Sequence, residues 1–119
     1  SCGPYRRMLL EDELRRRRSG ETLALLERMI AAEPADPELH YFRGEAYRQR
    51  GADGDYARAL GAYADAEGLP AAPAELHRGR GMILQATGDE AGAAQAFATY
   101  VRRRPDAEDA ALFQRHLNP

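Results

Sequence analysis

The sequence predicts an all-α fold assembled from stacked helix hairpins, and three observations predict it. First, residues 38–51 and 75–88 repeat one another: Glu38, Leu39, His40, Arg43, Gly44 and Gly51 recur 37 positions on as Glu75, Leu76, His77, Arg80, Gly81 and Gly88. After each final glycine a second block matches at an offset of 34, with Asp55, Ala57, Ala59 and Tyr63 recurring as Asp89, Ala91, Ala93 and Phe97. Second, apolar residues recur at helical spacing, while period-2 alternation and β-branched residues are scarce. Third, Gly and Pro fall between the periodic segments rather than inside them. Self-similarity at this period marks supersecondary units, each too small to bury its own apolar face, that stack on their neighbours.

Seven helices follow in order. The first spans about 4–18 and is expected to stop at Ser19-Gly20, with Gly20 taking the left-handed cap conformation. The second, about 20–33, carries Leu23, Leu25, Leu26, Met29 and Ile30 and halts before Pro34. The third starts at Pro37, a good first-turn residue, and ends near Gly51. The fourth spans about 55–68, and 68–73 is a Gly- and Pro-containing connector. The fifth spans about 74–87 and the sixth about 89–103, halting before Pro105. A last helix over about 107–117 places Ala110, Phe113 and Leu117 on one face.

Bulk properties narrow the function. At 119 residues the chain is read as a single domain with one modest core, and 44% hydrophobic with 30% charged residues is an ordinary globular balance. A net charge of −2 argues against a nucleic-acid binder. All 17 basic residues are arginine, and acidic residues surround both arginine runs, 15–18 and 102–104, with no interleaved aromatics. Each run lies in the last turn of a predicted helix, where cations suit the helix dipole. No apolar run reaches the roughly 18–20 residues of a membrane span. Catalytic motifs are absent, including His-Glu-x-x-His, phosphate-cradling glycine loops and Gly-x-Ser-x-Gly, so no enzyme, catalytic residue or cofactor is expected.

The spacing of Gly, aromatic, Ala, aromatic and Pro resembles that of tetratricopeptide repeats. The middle repeat, 37–73, carries His40, Gly44, Tyr47, Ala59, Tyr63 and Ala66 with a three-residue insertion, Ala52-Asp53-Gly54. The third, 74–107, fits without a gap through Gly81, Leu84, Ala93, Phe97, Tyr100 and Pro105. The first, 3–36, keeps Leu10, Leu26, Met29 and Pro34 but lacks the glycine and alanine marks. The resemblance implies a right-handed superhelix of three helix hairpins plus a C-terminal capping helix at 108–117. Within it, Gly44 and Gly81 would lie where the helices of a hairpin meet, and Tyr63 and Phe97 would fill the space between consecutive repeats.

The resemblance also implies a concave groove lined by the first helix of each pair, holding a partner protein or peptide. Carried over, its residues are Glu38, Tyr41, Glu45, Arg48 and Gln49 in the middle repeat, and Glu75, Arg78, Met82, Gln85 and Ala86 in the third. Arg7, Glu11, Leu14 and Arg15 are the counterparts in the first. Family members that grip acidic chaperone tails use a clamp of Lys, Arg and Asn. This chain has no Lys and only Asn118, so that clamp is not expected. His40 and His77, at matched places, lack the third and fourth ligands that zinc needs, so each is read as a half-buried packing imidazole and no metal site is expected.

Cys2, the single cysteine, resembles the acylated first residue of processed bacterial lipoproteins. The lead expectation is therefore a bacterial scaffold for protein–protein interaction, periplasmic or anchored to a membrane through Cys2. The alternatives are the repeat domain of a larger periplasmic protein such as a metallopeptidase, and a self-assembly element pairing through its terminal helices into a homo-oligomer.

Overall fold

A computed structural model describes residues 3–114, which form seven helices and no strand. These are α1 (Pro4–Arg15), α2 (Ser19–Ala32), α3 (Pro37–Arg50), α4 (Asp55–Glu67), α5 (Glu75–Ala86), α6 (Glu90–Arg103) and α7 (Ala110–Phe113). The chain divides into two compact units, Ser1–Pro73 and Ala74–Pro119, and the division falls where the second and third repeats were expected to meet. No described helix is long and apolar enough to cross a membrane.

In the first unit α3 and α4 form a hairpin, α2 packs on α3, and α1 touches both α2 and α3. Pro37 opens α3 behind Asp36, whose carboxylate accepts from the Glu38 amide at 3.0 Å. Gly51 closes α3 at φ 61°, the left-handed conformation that favours glycine. Gly54, at φ 82°, turns the chain into α4. The hairpin is tight because Gly44 has no side chain: a Cβ there would lie 2.5 Å from Cε1 of Tyr63. Tyr63, Leu39, Phe42, Leu26, Ala59 and Ala66 form the centre of this core.

The second unit repeats that arrangement. A Cβ on Gly81 of α5 would lie 2.5 Å from Cε1 of Phe97 on α6. Asp89 caps α6 by accepting from the Gly92 amide at 2.9 Å. Phe97 stacks on Phe113 with centroids 4.5 Å apart, and Phe113 also meets Tyr100 edge-on at 5.9 Å. Each aromatic ring thus fills the glycine notch of its own hairpin, where the resemblance had placed it between consecutive repeats.

Two expected ends shift. The helical pattern continues through the arginine run, yet α1 stops at Arg15 and Arg17 takes φ 58°. Gly20 lies in the first turn of α2, so it caps nothing. α7 is a single turn beginning at Ala110, while 107–109 form a turn before it. Leu117, the far end of the expected capping helix, lies outside the described residues, as does Cys2.

Candidate functional site

Of the five α3 residues expected in a groove, Glu45 and Arg48 join Tyr63 in a polar cluster, while Glu38 and Tyr41 meet Arg7 of α1. Tyr41 is 4% exposed, with its ring 5.0 Å from Phe42 and the Arg7 guanidinium 5.9 Å from its centroid. It therefore contributes to the core and leaves little surface for a partner. Glu45 is also buried. Its carboxylate accepts from the Tyr63 hydroxyl and from Arg48, with Nη2 to Oε1 at 2.8 Å and Nε to Oε2 at 3.3 Å. Arg48 also reaches the Tyr63 oxygen at 3.3 Å. Burial raises the Tyr63 phenol well above its usual range, and the Glu45 charge adds to this. Burial works against the Arg48 cation, but Glu45 more than offsets it and raises its pKa. Half-buried Glu38 accepts from Arg7 at 3.0 Å. Half-buried Gln49 carries an Oε1 that is enclosed and has no hydrogen-bond partner among the described residues.

On α5 the expected residues are more open. Glu75, Arg78 and Met82 are half-buried, and Gln85 and Ala86 are exposed. Arg78 donates to Asp109 at 2.7 Å and to the Tyr100 hydroxyl at 3.4 Å, with its guanidinium 5.4 Å from the Tyr100 ring centroid. The Tyr100 hydroxyl donates to Asp109 at 2.5 Å. Burial, reinforced by Asp109, pushes the Tyr100 phenol up to about 12. Burial would raise Asp109, but hydrogen bonds from Tyr100 and Arg78 bring it below its ordinary value. Arg104 pairs with Glu75 at 2.9 Å. These groups border a shallow cleft of about 430 Å³ within the second unit. Its walls offer two guanidinium groups, of Arg78 and Arg104, and three carboxylates, of Glu75, Glu108 and Asp109.

Comparison with family models, with curated proteins and with solved structures finds no match. The chemistry of the chain therefore rests on its own side chains. Among the described residues no group of three or more His, Cys, Asp or Glu could hold a metal ion. His40 is buried and donates from Nε2 to the Pro34 carbonyl at 2.7 Å. His77 is buried in the other unit, its two ring nitrogens each 3.2 Å from a guanidinium, of Arg80 and of Arg103.

Sequence reasoning missed two clusters. One joins Tyr100 and Asp109 to Arg78. The other is Asp55, fully enclosed, which accepts from Arg50 at 2.7 and 3.0 Å, from Arg58 at 3.0 Å and from the Ala52 amide at 3.0 Å. Arg50, aided by that amide and by Arg58, holds the Asp55 carboxyl far below the usual range. The three-residue insertion is thereby tied to both helices of its hairpin. The signal was present: an acid at the first position of α4 follows an arginine that ends α3.

Proposed function

We propose that the chain is a protein–protein interaction scaffold of the tetratricopeptide kind, holding a peptide or helix of a partner against the first helix of its hairpins. The observation that carries this is the duplicated glycine notch, Gly44 under Tyr63 and Gly81 under Phe97. Two hairpins built on one packing rule are what a helical repeat requires, and such repeats present side-chain surfaces to partners. On α3 the contact residues are Glu38, Arg48 and Gln49; on α5 they are Arg78, Met82 and Gln85. Met82 supplies an adaptable apolar contact, while Gln85 and Gln49 supply hydrogen-bonding amides. Tyr41 and Glu45 act behind this surface, holding Arg48 and the core in place.

Site-directed photocrosslinking tests the assignment. A photoreactive amino acid at position 49, 82 or 85 is expected to capture one and the same protein in cells. The same group at exposed Gln95 on α6 is expected to capture none. Capture from position 95 alone, or of unrelated proteins from each position, would remove the scaffold from this face. Capture of a second copy of the chain would make it a self-assembly element instead.

A further inference from the structure

The outer face of α1 is apolar at one end and basic at the other. Tyr5, Met8 and Leu9 are 70%, 54% and 48% exposed, and their spacing places them on one side of the helix. The opposite side buries Leu10 and Leu14. Beyond them come four consecutive arginines, 15–18, all exposed. Arg15 and Arg16 share Asp12 at 3.5 and 3.0 Å, Arg18 lies 3.9 Å from Glu13, and Arg17 makes no ion pair among the described residues. Cationic charge therefore exceeds the acidic charge beside it.

Arg17 adds an independent observation. Its φ of 58° lies in the left-handed region, at the helix exit where glycine is ordinarily favoured. A long cation kept at a strained backbone position, exposed and unpaired, points to use of its charge. A second copy of the chain fits poorly as the occupant. Parallel pairing of this face sets arginine run against arginine run.

We propose that this face of α1 docks onto an anionic phospholipid surface. The arginines meet lipid phosphates, and Tyr5, Met8 and Leu9 enter the boundary between headgroups and acyl chains. The proposal stands apart from the contact residues on α3 and α5, and crosslinking at positions 82 and 85 reports on those alone.

Co-sedimentation of the full, unacylated chain with vesicles tests it. Binding is expected to phosphatidylcholine vesicles containing 30% phosphatidylglycerol, not to pure phosphatidylcholine, and to weaken as salt rises from 0.1 to 0.5 M. Replacing Arg15, Arg16 and Arg17 with Gln is expected to weaken it at least about ten-fold, since each arginine near such a surface is worth roughly five-fold. Tyr5→Ser, Met8→Ser and Leu9→Ser together are expected to weaken it as well. Arg17→Gly separates charge from folding: it should melt at a higher temperature yet bind several-fold more weakly. Absence of binding to the anionic vesicles would overturn the proposal. So would binding indifferent to all α1 variants, or binding that loses to the Gln variant and ignores the Ser variant. A dimer in sedimentation equilibrium that the Ser variant abolishes, with no vesicle binding, would assign the face to a second copy.

Discussion

Replacing Gly44 with alanine probes the feature on which both hairpins depend. The added Cβ would lie 2.5, 2.7 and 3.1 Å from Cε1, Cδ1 and Cζ of Tyr63. Relief to ordinary carbon contact needs a shift of about 1 Å. Tyr63 cannot easily yield, because its ring is fully buried and its hydroxyl is tied to Glu45 and Arg48. Overpacking of this kind costs about 1–3 kcal/mol. The backbone gain of alanine over glycine in a helix interior opposes it by about 1 kcal/mol. Gly61 on α4 is the internal control: a Cβ there meets nothing within 4 Å. Gly61→Ala should therefore stabilise by about 1 kcal/mol, and Gly44→Ala should be neutral to destabilising by about 2 kcal/mol. The gap between the two in urea titrations at constant m isolates the steric term. Gly81→Ala should show a smaller gap, because Phe97, which stacks on Phe113, has no hydroxyl to tether it as Tyr63 has. If Gly44→Ala stabilised as much as Gly61→Ala, the close approach of α3 and α4 would not be what holds the hairpin.

Further outcomes follow from the polar clusters and the connector. Glu45→Met strands the Tyr63 hydroxyl and Arg48 and should cost about 1–3 kcal/mol, whereas adding Arg48→Gln and Tyr63→Phe should recover most of it by urea titration. Asp55 has a depressed folded pKa, so its contribution is full above the ordinary carboxylate range of about 4 and is lost as pH falls below it. Asp55→Asn should therefore lower the melting temperature at pH 7, with the gap to the parent narrowing between about pH 4 and 2. Tyr100 has a raised folded pKa of about 12, so its contribution is full below about pH 10 and fades as pH rises through the folded value. Tyr100→Phe should accordingly flatten the alkaline limb of melting temperature against pH. Ala71 sits at φ 63°, and Ala71→Gly should stabilise by about 0.5–1 kcal/mol once the added flexibility of the unfolded chain is counted.

Local chemistry made much of the fold legible. α3, α4, α5 and α6 lie within a residue or two of the positions that capping residues and helical spacing indicated. Gly51 adopts the left-handed conformation that its place after the helix required. The exit from α1 was hidden, because four arginines are good helix formers and nothing in them announces a left-handed residue at Arg17. Tyr41 was hidden for a different reason. Spacing fixes the side of α3 on which it lies, but α1 decides whether that side is covered, and the first repeat lacks the marks that would fix where α1 packs. A face assignment taken from one helix does not carry over once a weakly specified neighbour lies against it.

The Glu45–Arg48–Tyr63 cluster shows what comparing the repeats residue by residue adds. At the helix offsets of 37 and 34, its three members correspond to Met82, Gln85 and Phe97. The repeat that carries a hydroxyl over its glycine also carries a carboxylate to accept from it and a guanidinium to balance that charge. The repeat whose ring has no hydroxyl carries a thioether and a neutral amide instead. A buried phenol requires a partner, and a buried carboxylate requires a cation, so the three polar residues arise together or not at all. The consequence falls on the surface. In the first hairpin Arg48 is committed to an internal pair with Glu45, while the second carries half-buried Met82 and exposed Gln85 at the matching places. The same packing rule thus accommodates a buried charged network in one hairpin and a neutral thioether and amide in the other, and the greater exposure of Gln85 is why the proposed crosslinking starts from α5.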